Sequence, residues 1–289
     1  MKIDLHTHSR ASDGSLAPRE LIEEAIRQGV DVLGLTDHDT MSGLAEARQA
    51  AKEHRLTFIP GIEFSTETGN AELHILGYFV QENHPALLAL LGKLKTSRHE
   101  RIFRIIGKLA TVGLHLQPED VIEEAKDGVY GRPQVALALV RHGYVRTIEE
   151  AFERYLGNRR PAYVPHFKLT PWQVIERVLE AGGIPVLAHP AISGRDDLIP
   201  SLVKSGLAGL EVYYLEHDSA MVARYLQMAK KWELVVTGGS DFHGNTGKAP
   251  SFGAPGLAEA DIQTLLEKVR ETEPAGLLQA LAAKPANTR

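Results

Sequence analysis

Short apolar runs alternate with one-sided amphipathic stretches along most of the 289-residue chain. The apolar runs are typical of buried strands, and a stretch such as 18–28 places apolar residues at helical spacing on one face. Helices are predicted at 18–28, 42–54 and 171–181. Strands are predicted at 3–5, 32–35, 57–60, 73–78, 184–188, 209–213 and 234–237. This alternation predicts an α/β fold built on a parallel sheet or barrel.

The alternation stops between residues 85 and 165. This part of the chain contains four helical segments, each of which ends at a glycine, and it carries no strand pattern. We therefore expect two domains. Residues 1–84 and 166–289 form the barrel, and residues 85–165 form a helical insertion domain.

Charge is divided unevenly between these two parts. The net charge is −5, which argues against a general nucleic-acid binder. Residues 85–168 carry 14 Lys and Arg against 9 Asp and Glu, whereas the remainder carries 18 against 28. An acidic body with a basic insertion favours cations bound in the body and a polyanionic ligand near the insertion.

Cysteine usage and hydropathy exclude several classes of protein. The chain has no cysteine, so disulfides and thiolate metal ligands are excluded. No stretch reaches the ~20 apolar residues of a membrane helix. Asp4 and His6 interrupt the amino-terminal apolar run that a signal peptide would need. We expect a cytoplasmic protein with no membrane contact and no obligatory protein partner.

Histidines and carboxylates collect at the predicted strands. His6 and His8 are two residues apart, so in a strand both imidazoles point to the same side. Alone, this pair is ambiguous between a metal site and two solvated histidines. His74 lies inside the fourth predicted strand, and the residues that follow other strands are Asp37, His38, Asp39, Glu63, His189, Asp241 and His243. In parallel α/β folds the carboxyl ends of the strands line the active site.

The chemistry of these donors predicts bound metal. Imidazole and carboxylate without sulfur suit Mn, Fe, Zn or Co. One ion takes about four to six ligands, so the number of candidates predicts two to three divalent ions and a bridging carboxylate. Asp37 and Asp39 are interpreted as carboxylates that orient imidazoles, or, for Asp39, as a helix N-cap. Glu211 and Tyr213 share one face of their strand and either contact metal-bound water or fill the barrel.

Five motifs together resemble the polymerase and histidinol phosphatase (PHP) domain, a metal-dependent phosphoesterase fold. They are "DLHTHSRASDG", "LTDHDT", "GIEFS", "LAHP" and "GSDFHG". Within the insertion, "GRPQVALALV" and "RYLGNRRPAYVP" resemble the branch that contains bacterial nucleoside 3′,5′-bisphosphate phosphatases and 5′-to-3′ exoribonucleases. The resemblance implies a distorted seven-stranded (β/α) barrel with up to three metal ions, of which Mn is the expected species.

The resemblance also implies a ligand set. The implied ligands of the three ions are, in order, His6, His8, Glu63 and Asp241; Glu63 again with His74 and His189; and Asp13, His38 and His243. Some members of the family have histidine in the place of Asp13, so this substitution is expected to weaken or change the third ion.

The implied reaction is phosphoester hydrolysis, in which a water that bridges two cations attacks phosphorus. Glu63 and His189, through the ions, are the expected catalytic residues. His217, just beyond the sixth strand, is a candidate acid for the leaving group or a plain loop histidine. Arg132, which opens a helix after glycine, and Arg160 and Lys168 on the return to the barrel are expected to bind a distal phosphate. Tyr163 and Phe167 either stack a base or pack at the domain junction.

Several substrates fit this site. The leading expectation is removal of the 3′-phosphate from nucleoside 3′,5′-bisphosphates, such as adenosine 3′,5′-bisphosphate, which gives AMP and phosphate. A 5′-to-3′ exoribonuclease acting on short 5′-phosphorylated RNA is the alternative, so the expected partner is a nucleotide or short oligonucleotide. Histidinol phosphate phosphatase, carbon–nitrogen amidohydrolase and a non-catalytic metal-binding module are weaker alternatives.

Overall fold

Seven strands form one sheet whose order follows the chain. The structure is a computed structural model and describes residues 1–69, 71–123, 131–165, 169–244 and 251–272. The strands are β1 (Ile3–Asp4), β2 (Val32–Leu35), β3 (Thr57–Thr68), β4 (Ala71–Tyr78), β5 (Ile184–Leu187), β6 (Gly209–Tyr214) and β7 (Val235–Gly239).

Backbone hydrogen bonds between the first and last strands nearly close the sheet into a barrel. The amide of Leu5 donates to the carbonyl of Gly238 at 3.0 Å, and beyond β7 the amide of Asp241 donates to the carbonyl of His6 at 2.9 Å. Thr7 and Phe242 form a parallel bridge between the same two segments. The predicted seven-stranded α/β barrel is confirmed.

The expectation of a wholly parallel sheet is wrong for β4, which runs antiparallel to both β3 and β5. β3 is longer than predicted and reaches Thr68, which pairs with Ala71. Only two residues separate this pair, and a parallel crossover needs a dozen or more. Because β4 is reversed, its first half lies at the same rim as the second half of β3, and His74 pairs with Ser65 there.

The three predicted helices are present, with ends within two residues of the prediction. Three first turns among the described helices are capped by side chains: Thr147 accepts from the amide of Glu150, Thr170 from that of Gln173 and Asp218 from that of Met221. The helices are α1 (Pro18–Arg27), α2 (Leu44–His54), α3 (Pro85–Ala110), α4 (Pro118–Ile122), α5 (Arg132–Arg141), α6 (Ile148–Ala151), α7 (Pro171–Glu180), α8 (Pro190–Ser193), α9 (Ile199–Lys204), α10 (Ser219–Lys231) and α11 (Glu259–Thr272). None of the described helices is long and apolar enough to span a membrane.

The chain divides into two compact units, Met1–Leu88 with Leu169–Arg289, and Ala89–Lys168. The first unit buries apolar side chains of the strands and their helices, such as Leu5 and Leu35. The second unit has its own apolar core around residues such as Leu139. The predicted limits of the insertion, 85–165, stay a prediction.

Candidate metal centre

Two imidazoles from the residues after β1 converge on one point. His6 and His8 are fully buried, and their Nε2 atoms are 3.1 Å apart. The i, i+2 spacing places both rings on the same side, as the sequence predicted. Asp241 Oδ1, from the segment after β7, lies 3.0 Å from His8 Nε2 and 3.4 Å from His6 Nε2. The barrel closure between β1 and β7 therefore brings these three groups together.

Glu63 is the central carboxylate of the rim, the end of the barrel that carries His6, His8 and Asp241. It is 1% exposed and lies in the middle of β3. Its two oxygens face different imidazoles. Oε2 lies 3.1 Å from His8 Nε2, 3.2 Å from His6 Nε2 and 3.3 Å from His38 Nδ1, and Oε1 lies 2.8 Å from His74 Nδ1 and 3.2 Å from His189 Nε2. A carboxylate that faces nitrogens on both oxygens has the geometry of a bridging ligand.

Donor atoms within 4.8 Å of one another form three groups among the described residues. The groups are His6, His8, Glu63 and Asp241; His38, Glu63 and His74; and His8, Asp13, His38 and His243. The first coincides with the set that the family resemblance implied. In the second, His38 stands where His189 was expected, and in the third, His8 joins the expected residues. All nine predicted ligands lie at this rim.

The third group is the more open part of the rim. Asp13 Oδ1 lies 3.3 Å from His243 Nε2 and 3.7 Å from His8 Nδ1, and the Asp13 side chain is 47% exposed. His8 Nδ1 is buried and forms no hydrogen bond among the described residues, and neither does the buried His38 Nδ1, although it lies 3.3 Å from Glu63 Oε2. An unpaired buried imidazole nitrogen is costly, so these atoms fit a site that takes a cation.

The rim mixes closely packed imidazoles and carboxylates, which shift one another's pKa. Burial alone would raise the pKa of Glu63, but the surrounding imidazoles hold it well below its usual range. Burial alone would lower the pKa of His8, but Asp241 and Glu63 raise it to about 10. Burial lowers the pKa of His38 to about 3 despite the nearby charge of Glu63. The carboxylates are therefore ionised at neutral pH, as metal ligands must be.

Three rim residues hold an unfavourable backbone conformation. His189 has φ 25°, Asp39 has φ 51° and Asp241 has φ 54°. Residues other than glycine seldom adopt positive φ, and such strain concentrates at functional sites. In this protein it accompanies two of the candidate ligands.

The family is decided by a match to the PHP domain over residues 4–199. The chain belongs to the PHP family. The predicted resemblance is thereby confirmed, since the matched region begins at Asp4, the first residue of the first motif, and extends past His189.

Three enzymes are similar in sequence to this PHP protein over most of its length. It is 36% identical to the phosphoribosyl 1,2-cyclic phosphate 1,2-diphosphodiesterase of Eggerthella lenta, over 86% of this chain and 97% of that protein. It is 38% identical to the 5′-3′ exoribonuclease of Haemophilus influenzae, over 84% and 90%. It is 33% identical to the 3′,5′-nucleoside bisphosphate phosphatase of Chromobacterium violaceum, over 83% and 87%.

Two solved structures resemble the whole chain. A metal-dependent phosphoesterase from Bifidobacterium adolescentis has a TM-score of 0.81 and 28% identity, covering 96% of this chain and 98% of its own. An amidohydrolase from C. violaceum with bound sulfate has a TM-score of 0.77 and 31% identity, covering 93% and 97%. The PHP family and these relatives support a metal-dependent phosphoesterase activity.

Asp37 does not have the role predicted for it, and one of the two roles predicted for Asp39 is wrong. Asp37 Oδ1 accepts hydrogen bonds from the amide of Ser9 and the hydroxyl of Ser12, each at 2.7 Å, and its Oδ2 accepts from the Ser9 hydroxyl. Asp37 therefore shapes the loop that carries Asp13 rather than orienting an imidazole. Asp39 is not a helix N-cap, because α2 begins after Gly43.

Two buried carboxylates support the first histidine of the PHP site. Asp4 accepts from the amides of Ser240 and Gly253, at 3.0 and 2.8 Å, and so holds β1 against the segment after β7. Glu211 Oε1 lies 3.0 Å from His6 Nδ1. A glutamate inside the apolar run "GLEVYY" was the signal for this contact, but its partner is 205 residues away.

The proposed acid and the cationic residues fall in different units of the PHP chain. His217 is 8% exposed, its Nδ1 donates to the carbonyl of Val212 at 2.9 Å, and its Nε2 has no partner among the described residues. Arg132 and Arg160 belong to the unit Ala89–Lys168. Lys168 and Phe167 lie outside the described residues.

Proposed function

We propose that the protein removes the 3′-phosphate from nucleoside 3′,5′-bisphosphates and leaves the 5′-monophosphate. The observation that carries the proposal is the Glu63-centred rim, where eight of the nine candidate ligands form three overlapping donor groups and the ninth, His189, lies 3.2 Å from Glu63 Oε1. The C. violaceum and H. influenzae relatives, named as a bisphosphate phosphatase and an exoribonuclease, support a nucleotide substrate.

The donor set fits divalent ions such as Mn, Fe, Zn or Co. Two buried imidazole nitrogens that form no hydrogen bond, and a carboxylate that faces imidazoles on both oxygens, suit such ions. Bound divalent ions lower the pKa of water and neutralise charge on phosphoryl oxygens. The proposed ligands are the nine residues predicted from sequence: His6, His8, Asp13, His38, Glu63, His74, His189, Asp241 and His243.

His217 is proposed to give a proton to the 3′-oxygen that leaves. Its Nδ1 hydrogen is held by the carbonyl of Val212, so any exchangeable proton sits on Nε2. The ring lies against Tyr214, at 5.4 Å between centroids, and Tyr214 donates to Asp241 Oδ2 at 3.2 Å. These contacts support a place for His217 beside the rim.

Arg132 is proposed to bind the 5′-phosphate, together with Arg160 and Lys168. Its NH1 donates to the carbonyl of Leu156 at 3.2 Å, and its guanidinium lies over the rings of Phe152 and Tyr163. No carboxylate among the described residues pairs with Arg132, so its remaining donors suit an anion.

Two other phosphoester substrates have specific support. The H. influenzae relative favours 5′-phosphorylated RNA, since release of a nucleotide breaks the same 3′-oxygen–phosphorus bond. The E. lenta relative favours a cyclic phosphate on phosphorylated ribose. The bisphosphate, the RNA and the cyclic phosphate each carry a second phosphate beside the scissile one, which a cationic residue would recognise.

A substrate panel tests the proposal. Protein loaded with Mn²⁺ is incubated with adenosine 3′,5′-bisphosphate, 3′-AMP, 5′-AMP, a 5′-phosphorylated oligoribonucleotide, a phosphoribosyl cyclic phosphate and a lactam. We expect kcat/KM on the bisphosphate to exceed that on 3′-AMP by about 100-fold, the value of one or two charge-assisted hydrogen bonds. Equal rates on bisphosphate and 3′-AMP, or turnover of the lactam alone, would contradict the assignment.

A further inference from the structure

Glu211 of β6 is a fully buried carboxylate whose two oxygens serve two candidate ligands. Oε1 lies 3.0 Å from His6 Nδ1, and Oε2 accepts from the backbone amide of His189 at 2.7 Å. Among the described residues no lysine or arginine pairs with it. A buried carboxylate is costly unless its oxygens are hydrogen-bonded, so these two contacts account for its presence in the core.

The contact with His6 selects one form of that imidazole. Where Glu211 Oε1 accepts this hydrogen bond, a neutral His6 carries its hydrogen on Nδ1 and presents the lone pair of Nε2. Nε2 of His6 belongs to the first donor group, where it lies 3.2 Å from Glu63 Oε2 and 3.4 Å from Asp241 Oδ1. Without Glu211, a neutral His6 is free to place its hydrogen on Nε2, where it would point at a cation.

The contact with His189 holds a strained backbone. His189 has φ 25°, which residues other than glycine seldom adopt. Its amide is held by Glu211 while its Nε2 lies 3.2 Å from Glu63 Oε1. Glu211 thus contacts both His6, which lies at Oε2 of Glu63, and His189, which lies at Oε1 of Glu63.

We propose that Glu211 is a positioning residue that fixes the tautomer of His6 and the backbone of His189, and so sets the affinity of the two ions that share Glu63. The proposal rests on the proposed function only in requiring that the rim bind divalent metal. It makes no demand on the substrate.

The variant Glu211→Gln tests it. The amide has one accepting oxygen and one donating nitrogen, so it cannot accept from both the His6 Nδ1 hydrogen and the His189 amide. We expect Zn²⁺ affinity, titrated by calorimetry without substrate, to fall about 10- to 100-fold. The control Glu216→Gln changes an exposed carboxylate five residues along and should leave the affinity unchanged.

Nitrogen-15 NMR of the imidazoles in Zn²⁺-loaded wild-type protein tests the proposal without any variant. We expect the His6 Nδ1 signal to be protonated and the Nε2 signal to be metal-bound. A His6 that binds zinc through Nδ1, or unchanged affinity in Glu211→Gln, would overturn this inference alone. A wild-type rim that binds no divalent ion would overturn both this inference and the proposed function.

Discussion

A side chain on Gly239 would collide with His6. An ideal Cβ at Gly239 lies 2.2 Å from the Cβ of His6 and 2.5 Å from its backbone nitrogen. The last residue of β7 thus lies directly against the segment that carries the first candidate ligands. Glycine is needed here because of close approach, and the size of this one residue helps to set the position of His6.

Replacing Gly239 by alanine is therefore expected to damage stability and site together. Overpacking in a close-packed region costs about 1–3 kcal/mol, and the displaced His6 should bind metal less tightly. Urea unfolding and metal titration measure the two effects. Gly107→Ala is the control, because a Cβ there meets nothing within 4 Å and alanine favours a helix by about 0.5–1 kcal/mol. Wild-type stability in Gly239→Ala would contradict the close approach.

Replacing Glu63 by glutamine should remove more than one ion. The glutamine side chain keeps one oxygen, but an NH2 group replaces the other oxygen of Glu63. That NH2 group is a hydrogen-bond donor, so it cannot bind a cation beside the imidazoles on its side. Loss of a carboxylate that only hydrogen-bonds a metal ligand lowers metal affinity ~10- to 100-fold. We expect a larger fall for Glu63→Gln, together with loss of two bound ions. Metal analysis after gel filtration gives the stoichiometry. The exposed Glu53→Gln is the control, and loss of a single ion would argue against a bridging role.

Replacing Asp37 by alanine should affect the third donor group selectively. Ser9 and Ser12 would lose the carboxylate that accepts three of their hydrogen bonds, each at 2.7 Å, and the loop that carries Asp13 would loosen. Buried donors left unpaired cost about 1–3 kcal/mol. Calorimetric titration should show weaker binding of one ion only. Equal weakening of every site would mean that Asp37 acts on the whole fold.

Metal binding should strengthen as pH rises. Asp241 and Glu63 raise the pKa of His8 to about 10 against the effect of burial, and Glu63 raises that of His74 to about 10 in the same way. In metal-free protein both imidazoles are therefore protonated at pH 7, and a cation that binds them must displace those protons. Affinity should rise about tenfold per pH unit for each proton displaced, from pH 6 to 9. Calorimetry in buffers of different ionisation enthalpy counts these protons, and pH-independent binding would contradict the shifts.

Replacing Arg132 by alanine should separate recognition from chemistry. We expect KM for adenosine 3′,5′-bisphosphate to rise about 10- to 100-fold, the value of one charge-assisted hydrogen bond, while kcat/KM for 3′-AMP changes little. Arg154→Ala is the control, since that exposed arginine is paired with Glu150 at 2.6 Å. Equal losses on both substrates would show that Arg132 only supports its own unit through the carbonyl of Leu156.

The candidate ligands could be predicted because their chemistry is local in sequence. The His6 and His8 pair needs only the two-residue period of a strand, and Asp241 and His243 repeat it. Strand ends meet at one rim in α/β folds, so these motifs could be joined before any contact was seen. The donor groups of the structure match the implied sets only for the first ion, since His38 lies between Glu63 and Asp13 and takes part in both other groups.

Contacts between distant segments escaped prediction. The position of Glu211 in an apolar run was a signal of a buried contact, but nothing near it in sequence identifies His6 as its partner. Asp37 lies beside His38, which suggested a role with imidazoles, but the fold of residues 9–12 gives it other donors. The reversal of β4 was missed because the second half of β3 is partly polar and did not fit a buried strand.

Barrel closure also determines when the site can form during synthesis. Glu63 and His74 are 11 residues apart in one hairpin, so this pair is complete early. Asp4 and Ser240, which hold the two ends of the barrel together beside His6, are 236 residues apart. A nascent chain therefore lacks two of the nine candidate ligands, Asp241 and His243, until the residues after its last strand emerge. An ion bound by both His6 and Asp241 would then tie the first strand to the last, and opening the barrel at this seam would first require that ion to leave.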